Sequence, residues 1–197
     1  MNSDSWKKLN HLRVKALSSV THETQQQKYA LLLAVRITEL CQDSCELIKN
    51  NRLSSVPIIM RSALESYIDL KCIINDASHI KQMNESFDNF KNKITTKGKI
   101  SQKFKSAGEE ETYTGLYRYL CRSAHGNIES LVRDHTIDGT ISIGQNPPPQ
   151  LARQYINQTI ALAATAMIEA LSSVDHPKDL MLEFQKIQNL AGAGEYA

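Results

Sequence analysis

Apolar residues recurring at steps of three and four constrain this chain more than any other feature. From Thr21 to Asn50 the series is Tyr29, Leu32, Leu33, Ile37, Leu40, Cys41, Leu47 and Ile48, the spacing that lines one face of an α-helix. A second series between 54 and 75 runs through Ile59, Met60, Ala63, Leu64, Tyr67, Ile68 and Ile74. Its SerSerValPro opening at 54–57 places a Ser cap before a first-turn proline. A third runs from Gln150 to Val174, and its alanine-rich middle permits close helix contact, at the centre of a bundle or at a dimer seam. Glycine (8) and proline (5) are sparse, which suits long uninterrupted helices. The fold expected is an all-α helical bundle of four to five long helices with one elaborated loop or small hairpin.

The bundle is expected over residues 21–175. Residues 1–20 read as an N-terminal arm or short helix that Trp6 anchors to the body or to a partner subunit, and 176–197 as a short helix, Lys178 to Leu190, followed by a flexible tail. AspAlaSer at 76–78 opens a further helix with a thin stripe of Ile80, Met83, Phe87, Phe90 and Ile94. Lys91 to Lys105 carries six lysines and no acid, and reads either as a solvated mobile connector or as a lip that steers phosphate. Acids at 109–111 suit the first turn of another helix, which Gly126–Asn127 breaks before an apolar pattern resumes at Ile128, Leu131 and Val132. Between 136 and 149 a small hairpin turning on Asp138–Gly139 is expected, then a stiff ProProPro spacer.

A formal charge of +2 is near balance, so bulk electrostatics does not announce a nucleic-acid partner and any such contact needs a local patch. Cys41, Cys45, Cys72 and Cys121 lie in apolar helical patterns without CxxC spacing and read as small buried hydrophobes. No apolar run reaches membrane-spanning length and no secretory leader opens the sequence, so a soluble cytoplasmic chain without cofactor or metal is expected. P-loop, GxGxxG, HExxH and GxSxG motifs are absent. His22, His79, His135 and His176 fall at expected helix ends or loops and read as exposed or capping side chains.

The chemistry concentrates in Tyr113–His125. Arg118 and His125 are seven apart, two helical turns, and Arg122 falls between them near the same line. Guanidiniums hold an anion and an imidazole titrates near neutrality, the pairing required where phosphate is bound and a proton moved. The competing interpretation is two solvated arginines and a histidine that caps a helix end. Upstream, Arg61, Glu65 and Asp69 recur every four residues along one edge of their helix. They form either a solvent-side ion-pair ladder or an inward row that orients the histidine.

Arg118, six residues, then His125, near the end of a late bundle helix, resembles the Arg-x(4–6)-His motif of the HEPN superfamily of small helical proteins. ArgSerAlaLeuGluSerTyrIleAspLeu at 61–70 is similar to an Arg-x-x-x-Glu helix of related bacterial proteins, and the resemblance covers about residues 30–171. It implies a metal-independent endoribonuclease or RNA-processing effector of toxin–antitoxin or antiviral type. Arg118 would be the phosphate-binding arginine and His125 the motif histidine, with Arg122 and Glu65 in support. It further implies a homodimer or HEPN-like partner forming a composite site, RNA as substrate, and a cognate antitoxin or defence-system partner. Tyr119 departs from the pattern, since a polar residue usually follows the motif arginine, and Arg122 is a competing phosphate ligand. The other function these features allow is a non-catalytic helical interaction or regulatory module of a two-protein system.

Overall fold

The computed structural model describes residues 3–91, 100–126, 128–141 and 149–196. Helix α1 (Ser3–Ser19) precedes the long α2 (Gln25–Lys49), and a 3-10 turn (Leu53–Ser55) leads into α3 (Val56–Asn75). Shorter helices follow: α4 (His79–Lys91), α5 (Ile100–Ser106) and α6 (Glu110–Thr112). A π turn (Tyr113–Tyr117) joins α6 to α7 (Arg118–Ala124), and α8 (Ile128–His135) comes after the Gly126 corner. A two-stranded hairpin, β1 (Thr136–Ile137) and β2 (Thr140–Ile141), precedes α9 (Pro149–Ser172) and α10 (Lys178–Gly192). The chain is an all-α helical bundle.

α2, α3 and α9 form the centre, α10 packs on α9, and α1 lies across α9 and α10. Ala163, Ala164, Ala166 and Ala170 of α9 are fully buried. Small side chains let neighbouring backbones approach, and here they do so within one chain, at the bundle centre. Trp6 is buried, so α1 is docked on the body. Two glutamines at the start of α2 tie the far ends of its neighbours. Gln26 Nε2 donates to the Ile73 carbonyl at 2.7 Å, and Gln27 Nε2 donates to the Ser173 carbonyl at 2.9 Å. These are terminal helix carbonyls without an intrahelical partner. Gln27 Oε1 also accepts the Thr24 N–H, closing a capping box with the Thr24 side chain.

Three expectations need correction. The lysine-rich stretch is not wholly a connector: 100–106 is helical, and Phe104 is fully buried among its lysines. Ile100 and Phe104, a single four-residue step, are too few to make a periodic stripe, so the sequence marks this helix only weakly. The C-terminal residues are not a free tail either. Helix α10 extends to Gly192, and the Tyr196 N–H donates to Asn157 Oδ1 at 3.2 Å. Ser55 makes no side-chain cap bond, because the 3-10 turn precedes α3 in its place. The hairpin turns on Asp138 (φ 49°) and Gly139 (φ 77°), two left-handed residues as a type I′ turn requires. Lys93, Lys97, Lys99, Ile94 and the first two prolines of the ProProPro run lie outside the described residues, and so do the side chains of Phe87 and Phe90.

Candidate functional site

The polar edge of α3 organises the site. Met60, Ala63, Leu64, Tyr67 and Ile68 bury the rest of this helix, while Arg61, Glu65 and Asp69 stand half-buried along one side. Arg61 Nε donates to Glu65 Oε1 at 3.1 Å. The Tyr117 hydroxyl donates to the same oxygen at 2.7 Å. One NH group of Arg61 lies 3.4 Å from His125 Nε2. A guanidinium can only donate, so a hydrogen bond here requires a neutral His125 ring with its proton on Nδ1. Burial pushes the Tyr117 phenol well up, and its bond to the Glu65 carboxylate adds to this, so Tyr117 stays a donor. Burial alone would lower the Arg61 pKa, but the Glu65 carboxylate beside it raises the net value. The guanidinium therefore keeps its charge.

The π turn sets the position of Tyr117 under this row. Its extra residue per turn is rare in helices and often found at functional sites. Tyr113 and Tyr117 stack at 5.6 Å, and the Phe104 ring lies 5.3 Å from the first and 4.8 Å from the second. Beyond the turn, the fully buried Leu120 fixes α7 against the core, with Arg118 and Arg122 on its open side. His125 closes α7 as its C-cap, and its N–H bonds the Cys121 carbonyl. Gly126 then takes φ +62°, a left-handed turn that glycine adopts without penalty.

Of the residues singled out from sequence, Glu65 and His125 are brought together through Arg61. Arg118 and Arg122 are exposed, with no hydrogen bond or ion pair among the described residues. They lie two turns and one turn before His125 on α7 and are not held by the α3 row. Tyr119 points away from it. Its hydroxyl lies 3.2 Å from that of Tyr155 and accepts from Arg133 at 3.3 Å, linking α7 to α9 and α8. The sequence reading missed the pairing of Tyr117 with Glu65; its only signal was a tyrosine one residue before Arg118.

Farther along α3, Asp69 Oδ1 accepts from His79 Nε2 at 2.8 Å and from Lys103 Nζ at 2.7 Å. His79 is thus neither exposed nor capping, which corrects the expectation from its place at a helix start; it is buried and paired. Burial would raise the Asp69 pKa, but the bonds from His79 and Lys103 outweigh it and hold the carboxyl below its ordinary 3.8. A depressed carboxylate pKa adds stability that is present above 3.8 and lost as pH falls through the native value. Asp69→Asn is therefore expected to cost about 1–3 kcal/mol at neutral pH and to flatten the acid limb of a plot of melting temperature against pH. An unchanged acid limb would show that Asp69 does not carry this linkage. Among the described residues, no group of three or more His, Cys, Asp or Glu side chains is placed to hold a metal ion. No described helix is long and apolar enough to cross a membrane.

One family model matches the chain, over residues 27–98 and 76–141, and is described as a family of unknown function, DUF5677. The two segments together span more than half of the chain and include α3, the π turn, α7 and α8. No curated protein and no solved structure matches.

Proposed function

Since the chain belongs to the DUF5677 family, whose function is unknown, its activity must be read from its own site, and we propose a metal-independent endoribonuclease or RNA-processing effector acting at the His125 corner. The observation that carries this reading is the Arg61 guanidinium set against His125 Nε2, beside two exposed arginines without partners among the described residues. Three guanidiniums at one corner suit a phosphate diester, which accepts charge-assisted bonds from each. An arriving phosphate draws the Arg61 donor away from Nε2, and the freed lone pair then faces the ribose. His125 takes the 2′-hydroxyl proton, the 2′-oxygen bonds to phosphorus, and the bond to the 5′-oxygen breaks. That oxygen takes its proton from water at the open face or, where two copies share one RNA, from the second copy's His125. Arg118 and Arg122 neutralise charge on the five-coordinate phosphorus. Glu65 and Tyr117 do not touch substrate; they position Arg61.

Incubation of single-stranded RNA with the purified chain in EDTA tests this reading. Cleavage leaving 2′,3′-cyclic phosphate and 5′-hydroxyl ends is expected, and His125→Ala, at an exposed helix cap, should reduce it by about 10²–10⁴-fold without unfolding the chain. Equal cleavage by the two proteins, or none by either, would overturn it.

A further inference from the structure

Helix α8 is amphipathic but turned inside out. Ile128, Leu131, Val132 and His135 fall at i, i+3, i+4 and i+7, the spacing of a single stripe. That stripe faces solvent: Ile128 is 80% exposed, Leu131 48% and Val132 55%. The inward face is polar, with Ser130 buried and Arg133 reaching Tyr119. Ile141 of the hairpin that follows α8 is also exposed, at 84%. A contiguous apolar face left in water, with polar groups turned inward, marks a docking surface.

Its surroundings decide the occupant. A Cβ on Gly126 would lie 3.7 Å from Leu131 Cδ2, so the stripe abuts the corner that carries His125. The 3-10 turn Leu53–Ser55 touches both α7 and α8, and Arg52 precedes it. Arg52, Arg118 and Arg122 are exposed and make no side-chain ion pair among the described residues, while Glu129 is an exposed acid on α8 itself. An apolar stripe with a guanidinium rim fits an acidic amphipathic helix. A second copy would bring the same guanidiniums and, on α8, only Glu129 as a described exposed acid to meet them.

We propose that the exposed face of α8 docks an acidic amphipathic helix of a partner protein, and that the docked helix covers His125 and pairs with Arg118 and Arg122. The docking stands apart from the RNA reading. Only its consequence, that the partner excludes RNA from the corner, rests on it.

The probes are two synthetic helices with a leucine stripe, one flanked by glutamates and one by lysines, titrated into the full chain by fluorescence anisotropy. The glutamate helix should bind. Ile128→Ser with Val132→Ser should weaken it by about tenfold or more, and so should Arg118→Glu with Arg122→Glu; the lysine helix should not bind. Because Ile128 and Val132 are exposed, the serine pair should keep the wild-type melting temperature. No binding, equal binding of the two helices, or full binding by the serine pair would overturn the proposal. Self-association in sedimentation, or flotation with phosphatidylserine vesicles, either one abolished by the serine pair, would reassign the face and overturn it too. Where the wild type cleaves RNA, the glutamate helix should inhibit it, and the serine pair should cleave normally but escape inhibition. Binding without any cleavage by the wild type would remove the RNA reading and leave the docking intact.

Discussion

Replacing Arg118 and Arg122 together by glutamate is expected to abolish measurable RNA binding while leaving the fold untouched. Both side chains stand in solvent on the open side of α7 and make no hydrogen bond or ion pair among the described residues, so their loss removes no internal contact. A charge-assisted bond to phosphate contributes about 1.5–3 kcal/mol, which is about ten- to a hundredfold in affinity for each arginine. Single substitutions to alanine should also lower the slope of log affinity against log salt by about 0.7 for each contact to a single strand. Anisotropy titrations of a labelled oligoribonucleotide across a salt series measure both quantities. An unchanged slope would mean that RNA is held elsewhere or not at all.

Phe104→Ala is expected to be the most damaging single change to the site's framework. The ring is fully buried and packs at 4.8 Å from Tyr117 and 5.3 Å from Tyr113, so it links α5 to the π turn. Truncating a buried phenylalanine costs about 3–5 kcal/mol, a large share of a typical domain's stability. The damage should reach the site, since Tyr117 holds Glu65, and Glu65 holds Arg61. Urea unfolding followed by circular dichroism gives the cost. A loss below about 1 kcal/mol would show that the aromatic cluster does not fix the turn.

The long helices were legible because each repeats its apolar spacing over many residues, as Ile59, Met60, Ala63, Leu64, Tyr67 and Ile68 do on α3. Helix α5 was not, because Ile100 and Phe104 give only one four-residue step among lysines, and the burial of Phe104 depends on the tyrosines of the next turn. The π turn leaves no mark in residue type: Tyr113 and Tyr117 read as an ordinary four-residue step, and only the backbone over Tyr113–Tyr117 shows the wider turn. His79 was misread for a similar reason. Its place at a helix start suggested exposure, but the turn before α4 folds it back onto Asp69, ten residues earlier. Arg61, Glu65 and Asp69 were visible as a row, yet whether that row faced water or His125 depended on how α7 lies against α3. Helix α8 shows the opposite limit, since Ile128, Leu131 and Val132 have the periodicity of a buried face and are exposed. Periodicity locates an apolar face without saying what covers it.

The proposed role of His125 turns on one contact, the Arg61 guanidinium set 3.4 Å from Nε2 and backed by Glu65 and Tyr117. Long-range nitrogen–proton correlation spectra of the ¹⁵N-labelled imidazole test it most directly. In the wild type at a pH where the ring is neutral, the proton should reside on Nδ1. In Arg61→Ala it should shift towards Nε2, the form free histidine favours. A wild-type ring already protonated on Nε2, unaltered by loss of Arg61, would contradict the account.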